Sequence, residues 1–265
     1  MLETLQNLLP LKLDVFLLLM LRVSALIFSS PIFGRRNIPA LVKIGFCLLL
    51  TYILYMTYPP AAPLEYGNNA IVYGFMCIKE LAFGLIIGFV TTAFFGLVFT
   101  SGQIIDMHMG LGMAGVTDVQ NEAQVPMVGN LLNIILILAF FGVNGHHMLI
   151  RILSVTVEQI PLGQVVISPD IGLAAAEVFA LSFLLAVNVA IPIIAAALLG
   201  EAAMGVLLRT VPQMNVFVVG IPVKILIGLV MLLVMMPVFV GFAGTIFSNM
   251  FSAIEQLFSG LIGAA

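Results

Sequence analysis

Charge is what this sequence has least of. Only 8% of its 265 residues are Asp, Glu, Lys or Arg, where a soluble domain carries about 25%. So few charges cannot cover a globule in water, so the apolar surface must face lipid or other proteins. The net charge of −3 excludes the basic surface that nucleic acid needs. The two cysteines, Cys47 and Cys77, lie in apolar stretches. They read as buried thiols and offer neither a disulfide framework nor a zinc site. Tryptophan is absent, and all five tyrosines (Tyr52, Tyr55, Tyr58, Tyr66 and Tyr73) lie in or beside one stretch at 59–70. An aromatic belt would normally mark both membrane interfaces, so the missing edge reads as helix ends covered by partner subunits. Period-two alternation is also missing, which excludes a membrane barrel. Helices remain as the way to satisfy backbone groups in lipid.

What is present is a run of apolar segments rich in Gly (24), Met (15) and Phe (20). Six stand out: Val15 to Gly34, Ile44 to Tyr58, Leu81 to Thr100 with an earlier entry from Ile71, Val125 to Val143, Ile171 to Leu199, and Val216 to Phe251. A spanning helix needs about 20 apolar residues. The fold class is therefore an all-α membrane protein of about six long hydrophobic helices, read as one domain over residues 1–265. Pro192, Pro222 and Pro237 fall inside the last two segments, and proline removes a helical hydrogen bond. The sixth segment is too long for one span, so a break near Pro237 or Gly220–Pro222 is expected, folding it into a hairpin or sharp kink. Residues 101–124 are expected to be a Gly- and Met-rich loop without Lys or Arg, and residues 200–215 a loop carrying Glu201, Arg209 and Pro212. Glu3 stands where a signal peptide would be basic, so the first apolar segment is expected to stay in the mature protein. Arg35 and Arg36 put their loop in the cytoplasm by the positive-inside rule, with both termini outside.

Few residues could carry chemistry. Arg22 lies mid-way along the first span and Lys79–Glu80 in the third. A mid-membrane charge costs about 2.5–3.5 kcal/mol on insertion scales, so each is expected to have a partner, either in a subunit-packing ion pair or along a transport path. Neighbours on a helix point different ways, which gives Lys79 and Glu80 separate partners. Gly84, Gly88, Thr92 and Gly96 recur at four-residue spacing, a small-residue ridge for close helix packing. His146–His147 have no ligand-spaced acid or thiol and no H-E-x-x-H pattern, and read as a histidine pair in a loop or at a helix end. Asp106 and Asp118 have no acid/base constellation around them. No cofactor, metal or catalytic group is expected.

Beyond these, residues 190–228 carry a distinctive run, Arg209-x-x-Pro212-Gln213-Met214-Asn215-Val216-Phe217-x-x-Gly220-x-Pro222-x-Lys224. With Arg22 and Pro31-x-Phe33, Gly102-Gln103-Ile104-Ile105-Asp106-x-x-x-Gly110, and Gly145-His146, it resembles the FliR family of flagellar type III export proteins over essentially the whole chain. Asn144 departs from the family, which commonly has glycine there. The resemblance implies a core subunit of the export gate in the bacterial inner membrane at the flagellar basal body. Its partners would be FliP-like and FliQ-like subunits, with an FlhB-like protein around them, and unfolded flagellar proteins would pass through. Arg209 and Lys224 join the packing and ion-pair candidates. The stretch Met107 to Val116, with Met107, Met109, Gly110, Leu111, Gly112, Met113 and Gly115, is expected to plug the pore. It is apolar, glycine-rich, free of Lys and Arg, and its flexible methionines can seal around varied shapes. The resemblance puts the matching loop in the gate's lumen. Alternatives are a virulence-type (injectisome) gate homologue or a stand-alone secondary transporter. The transporter reading suffers from the absence of a matching charge pair in the second half's spans.

Overall fold

The computed structural model describes residues 13–58, 69–111, 126–166, 171–210 and 216–262. Among these the chain is all helical: α1 (Leu13–Ser29), α2 (Ala40–Thr57), α3 (Ala70–Met109), α4 (Met127–Gly142), α5 (Gly145–Gln159), α6 (Ile171–Thr210) and α7 (Val216–Ile262). Four of them, α2, α3, α6 and α7, are long and apolar enough to cross a membrane, and the bent pair α4–α5 makes a fifth crossing if taken as one span. The helices form two compact units. One draws on Met1–Thr92, Asn144–Ala176 and Met250–Ala265, the other on Ala93–Val143 and Glu177–Asn249.

In the first unit α1 and α2 form a hairpin. Phe16 meets Tyr55 edge-on at 6.1 Å and Phe33 stacks on Phe46 at 5.6 Å, so the start of α1 faces the end of α2. Lys43 Nζ donates to the Gly34 carbonyl at 2.9 Å and fastens the turn. Leu18, Leu19, Val23 and Leu26 make the buried stripe of α1. The tyrosines are not simply a belt: Tyr55 is buried, and the Tyr73 hydroxyl donates to the Asp14 carbonyl at 2.8 Å. In the second unit Phe95, Phe140 and Phe247 form an aromatic core with ring centres 5.2–6.2 Å apart. Such pairs add about 0.5–1.5 kcal/mol beyond their buried area.

Three expectations need correction. The helix entered near Leu81 runs on to Met109, so residues 101–109 are helix and Met107 to Met109 end it. The segment ending at Leu199 continues to Thr210, so Glu201 and Arg209 are helical. The break expected near Pro237 or Gly220–Pro222 does not fold α7 into a hairpin, because the helix is continuous from Val216 to Ile262 through both prolines. Neighbouring groups and local adjustment can re-satisfy the carbonyls a proline frees in an apolar helix. The sharp bend occurs instead between α4 and α5, at 65°. There Asn144 takes a left-handed conformation with φ 57°, one that glycine and then asparagine adopt most readily. This accounts for an asparagine at that position.

Candidate functional site

Arg22 and Glu80 form a dry ion pair at the heart of the first unit. Arg22 Nε donates to Glu80 Oε2 at 2.6 Å and Nη2 to Oε1 at 3.1 Å, a bidentate fork, with both side chains 0% exposed. The remaining donors of the guanidinium turn to the C-terminal end of α5. Nη1 donates to the Thr156 carbonyl at 2.9 Å, and Nη1 and Nη2 both reach the Ile160 carbonyl at 3.4 Å. The Thr156 carbonyl also accepts the Ile160 N–H at 3.0 Å, and carbonyls at a helix C-terminus carry partial negative charge, so a cation belongs there. The remaining lone pair of Glu80 Oε1 accepts from the Gly163 N–H at 2.7 Å. Gly163 holds a left-handed φ of 82°, which aims its N–H in the turn after α5. The Phe83 ring covers the guanidinium at 4.9 Å. One residue pair therefore ties α1, α3 and α5 together with every strong donor and acceptor used, the condition under which a buried charge pair is tolerated. Lys79, next to Glu80, is half-buried, and no ion pair to it occurs among the described residues.

The small-residue ridge presses α3 onto α1 at three of its four positions. A Cβ on Gly84 would overlap the Arg22 carbonyl oxygen and lie 2.7 Å from the Ala25 Cβ, and one on Gly88 would overlap Ser29. The Thr92 hydroxyl donates to the Ser29 carbonyl at 2.8 Å. Gly96 faces open space within this chain.

The second unit holds the root of the Gly/Met stretch. Near the end of α3, Gly102 lies so close to Gly129 of α4 that a Cβ would overlap backbone. The helix then closes with a glycine cap. The Leu111 N–H donates to the Asp106 carbonyl at 3.0 Å and the Gly110 N–H to the Met107 carbonyl at 3.2 Å. Gly110 has φ 79°. These are the paired hydrogen bonds of a Schellman ending. Asp106 also accepts the Val128 N–H on its Oδ1 at 3.3 Å, capping the start of α4 from a neighbouring helix. Its backbone thus fixes Leu111 and its side chain fixes Val128, one on each side of residues 112–125. Met107 is 70% exposed, whereas Met109 is 1% exposed, packed where a Cβ on Gly228 of α7 would stand. Lys224 of α7 pairs with Glu201 of α6, side chains 29% and 44% exposed. Arg209 is exposed, and no ion pair to it occurs among the described residues. Gly112, Met113 and Gly115 lie outside the described residues.

Asp106, Gly129, Gly163, Gly228 and Glu201 were not singled out as site residues from sequence. The spacing of Gly110 four residues after Asp106 was the available signal, since a glycine just past a helix end is a cap signature. His146 and His147 lie at the start of α5 with rings 4.0 Å apart. Among the described residues no group of three or more His, Cys, Asp or Glu could hold a metal.

Comparison with known proteins gives the family. Residues 13–250 match the family described as Bacterial export proteins, family 1. The flagellar biosynthetic protein FliR of Bacillus subtilis (strain 168) is 33% identical over 255 residues, covering 94% of this chain and 96% of that protein. Its namesake in Escherichia coli (strain K12) is 30% identical over 246 residues, covering 91% and 92%. That of Aquifex aeolicus (strain VF5) is 26% identical, covering 88% and 90%. With the match running through the Arg22 fork, the glycine ridge and the capped end of α3, this chain belongs to the FliR family of bacterial export proteins.

Proposed function

We propose that this chain is a non-enzymatic core subunit of a flagellar protein export gate in the bacterial inner membrane. FliP-like and FliQ-like subunits complete the channel, an FlhB-like subunit surrounds it, and unfolded flagellar proteins pass through. The observation that carries this reading is helix length. α3 and α6 have 40 residues each and α7 has 47. Even tilted by about 40°, a hydrocarbon core about 30 Å thick takes up only about 26 residues at 1.5 Å each. The excess is still apolar. Leu226, Leu229, Leu233 and Val234 on α7, and Phe179, Phe183 and Leu199 on α6, are exposed. Apolar helix that lipid cannot cover needs other proteins to cover it. The name carried by the relatives, flagellar biosynthetic protein, gives the assembly its class.

Within that assembly the Met107 to Val116 stretch is the pore plug, sharpened by its root: Met109 is the fixed anchor, and the sealing part begins at the Gly110 cap. Mass spectrometry of the native complex, purified through a tag on this chain, tests the partner set. One assembly of several chains is expected. A stable monomer in mild detergent, unchanged by co-expressed partners, contradicts the reading. Deleting Gly110 to Gly115 in the assembled gate tests the plug. The membrane should leak ions while assembly persists, and a tight membrane with normal export means that this stretch does not seal the pore.

A further inference from the structure

The Glu201–Lys224 pair lies beside the root of the Gly/Met stretch. Helices α6 and α7 meet closely at Gly200, where a Cβ would stand 2.9 Å from Ile227 Cδ1. Glu201 follows Gly200 directly, and its partner Lys224 stands three residues before Ile227, on the same face of α7. One turn beyond Lys224, Gly228 leaves the notch that Met109 fills, with Met109 Cε 2.7 Å and Sδ 2.9 Å from where a Cβ would stand. The aliphatic stem of Lys224 runs past Gly110, its Cδ 3.9 Å from the position of a Cβ there. His108 is half-buried in the last turn of α3. A cation with one carboxylate partner, a methionine in a glycine notch and a glycine cap therefore converge on one place.

We propose that Glu201 and Lys224 are positioning residues for the root of the 107–116 stretch: their pair holds α6 and α7 in the register at which Gly228 receives Met109. The pair is partly exposed, so it adds little to folding. Its effect is on alignment, because sliding or turning α7 moves the Gly228 notch from under Met109. Interdigitated contacts accept discrete arrangements and resist gradual deformation. A change at the pair is thereby passed to the place where the chain leaves α3. The proposal rests on the reading of this stretch as the pore plug.

The test uses the whole co-expressed complex with Cys47→Ala and Cys77→Ala, carrying Met109→Cys and Gly228→Cys as a disulfide reporter. Glu201→Gln and Lys224→Met should each leave the yield of complex within about twofold while lowering the 109–228 crosslink about fivefold, the equivalent of about 1 kcal/mol. The reporter-free variants should leak ions. The exchanged pair, Glu201→Lys with Lys224→Glu, should restore both crosslink and membrane tightness. An unchanged crosslink in the single variants, or no rescue by the exchanged pair, overturns the proposal. A crosslink that falls and is rescued while leak and export stay normal upholds the positioning role and overturns the plug reading instead.

Discussion

Each unit of the molecule has an ion pair joining helices in apolar surroundings, and the two are built in opposite ways. Arg22–Glu80 is fully buried, bidentate and completed by two carbonyls and a backbone N–H. Glu201–Lys224 is a single contact with both ends partly in the open. Arginine suits the first because its rigid planar fork serves several acceptors at once. Lysine, a mobile point charge on a flexible stem, suits the second. Dry pairs are costly to break, because the surviving charge is left buried. Partly exposed pairs cost less to break, because neither charge is left fully buried. The first unit is thus locked through its pair, and the second has a pair that can be exchanged at low cost beside a chain segment proposed to plug the pore. Burial and satisfaction of the charges, more than their presence in apolar helices, separate a structural lock from an adjustable contact.

The sharpest way to break this contrast is at Arg22. Arg22→Ala should cost about 3–5 kcal/mol, as removal of one partner of a buried pair does, and should deplete the chain from membranes. Arg22→Lys should do less damage but not recover wild-type yield. Replacing both partners by apolar residues, Arg22→Met with Glu80→Leu, should restore much of the loss, because no orphan charge remains. Quantitative blotting of membrane-inserted chain, co-expressed with partners, reads all three. Equal yields for wild type and Arg22→Ala would falsify the lock.

The glycine ridge gives the next largest effects and an internal control. Gly84→Leu and Gly88→Val put side chains into the α1 backbone and should cost about 1–3 kcal/mol or more. Gly96→Ala, facing open space, should be neutral or stabilising by up to about 1 kcal/mol through helix propensity. Thermal aggregation curves of the detergent-solubilised complex distinguish the two classes, and a harmful Gly96→Ala would mean that the ridge meets a further surface. In the second unit, Asp106→Ala removes the cap on α4 and should cost about 1 kcal/mol, with Asp106→Asn retaining most of it. Hydrogen exchange should show faster opening at Val128 in the alanine variant alone. The smallest effect is expected at the α4–α5 bend. Asn144→Gly should lie within about 0.5 kcal/mol of wild type, because both residues accept the left-handed conformation, while Asn144→Val should lose about 1–2 kcal/mol.

Much of this architecture could be read from hydrophobicity and charge, and the failures have a common cause. Arg22 and Glu80 stood out as charges in apolar helices, but that they meet each other, across 58 residues, is set by how α1 packs on α3. Helix ends were misjudged where residues 101–109 and 200–210 were read as loop. Gly102 and Gly200 lie inside helices because each is a place where a neighbour, Gly129 or Ile227, comes too close for a side chain. Gly110 does end a helix, and its positive φ and hydrogen bonds distinguish it. Local sequence cannot separate the two uses, since the clash that demands glycine comes from a distant segment. The same holds for Asp106, whose carboxylate caps a helix beginning 21 residues later. The prolines of α7 were read as breaks for the same reason, although an apolar helix tolerates them where its surroundings compensate.

The central claim is that one pair holds the fold and the other sets the proposed plug. The most direct test measures, on the same co-expressed complexes, the yield of assembly and the ion leak per assembled complex for Arg22→Ala and Glu201→Gln. The account predicts a severe loss of yield with no added leak per surviving complex for Arg22→Ala. It predicts near-normal yield with a raised leak for Glu201→Gln. The same pattern in both variants, or the two patterns reversed, would contradict it.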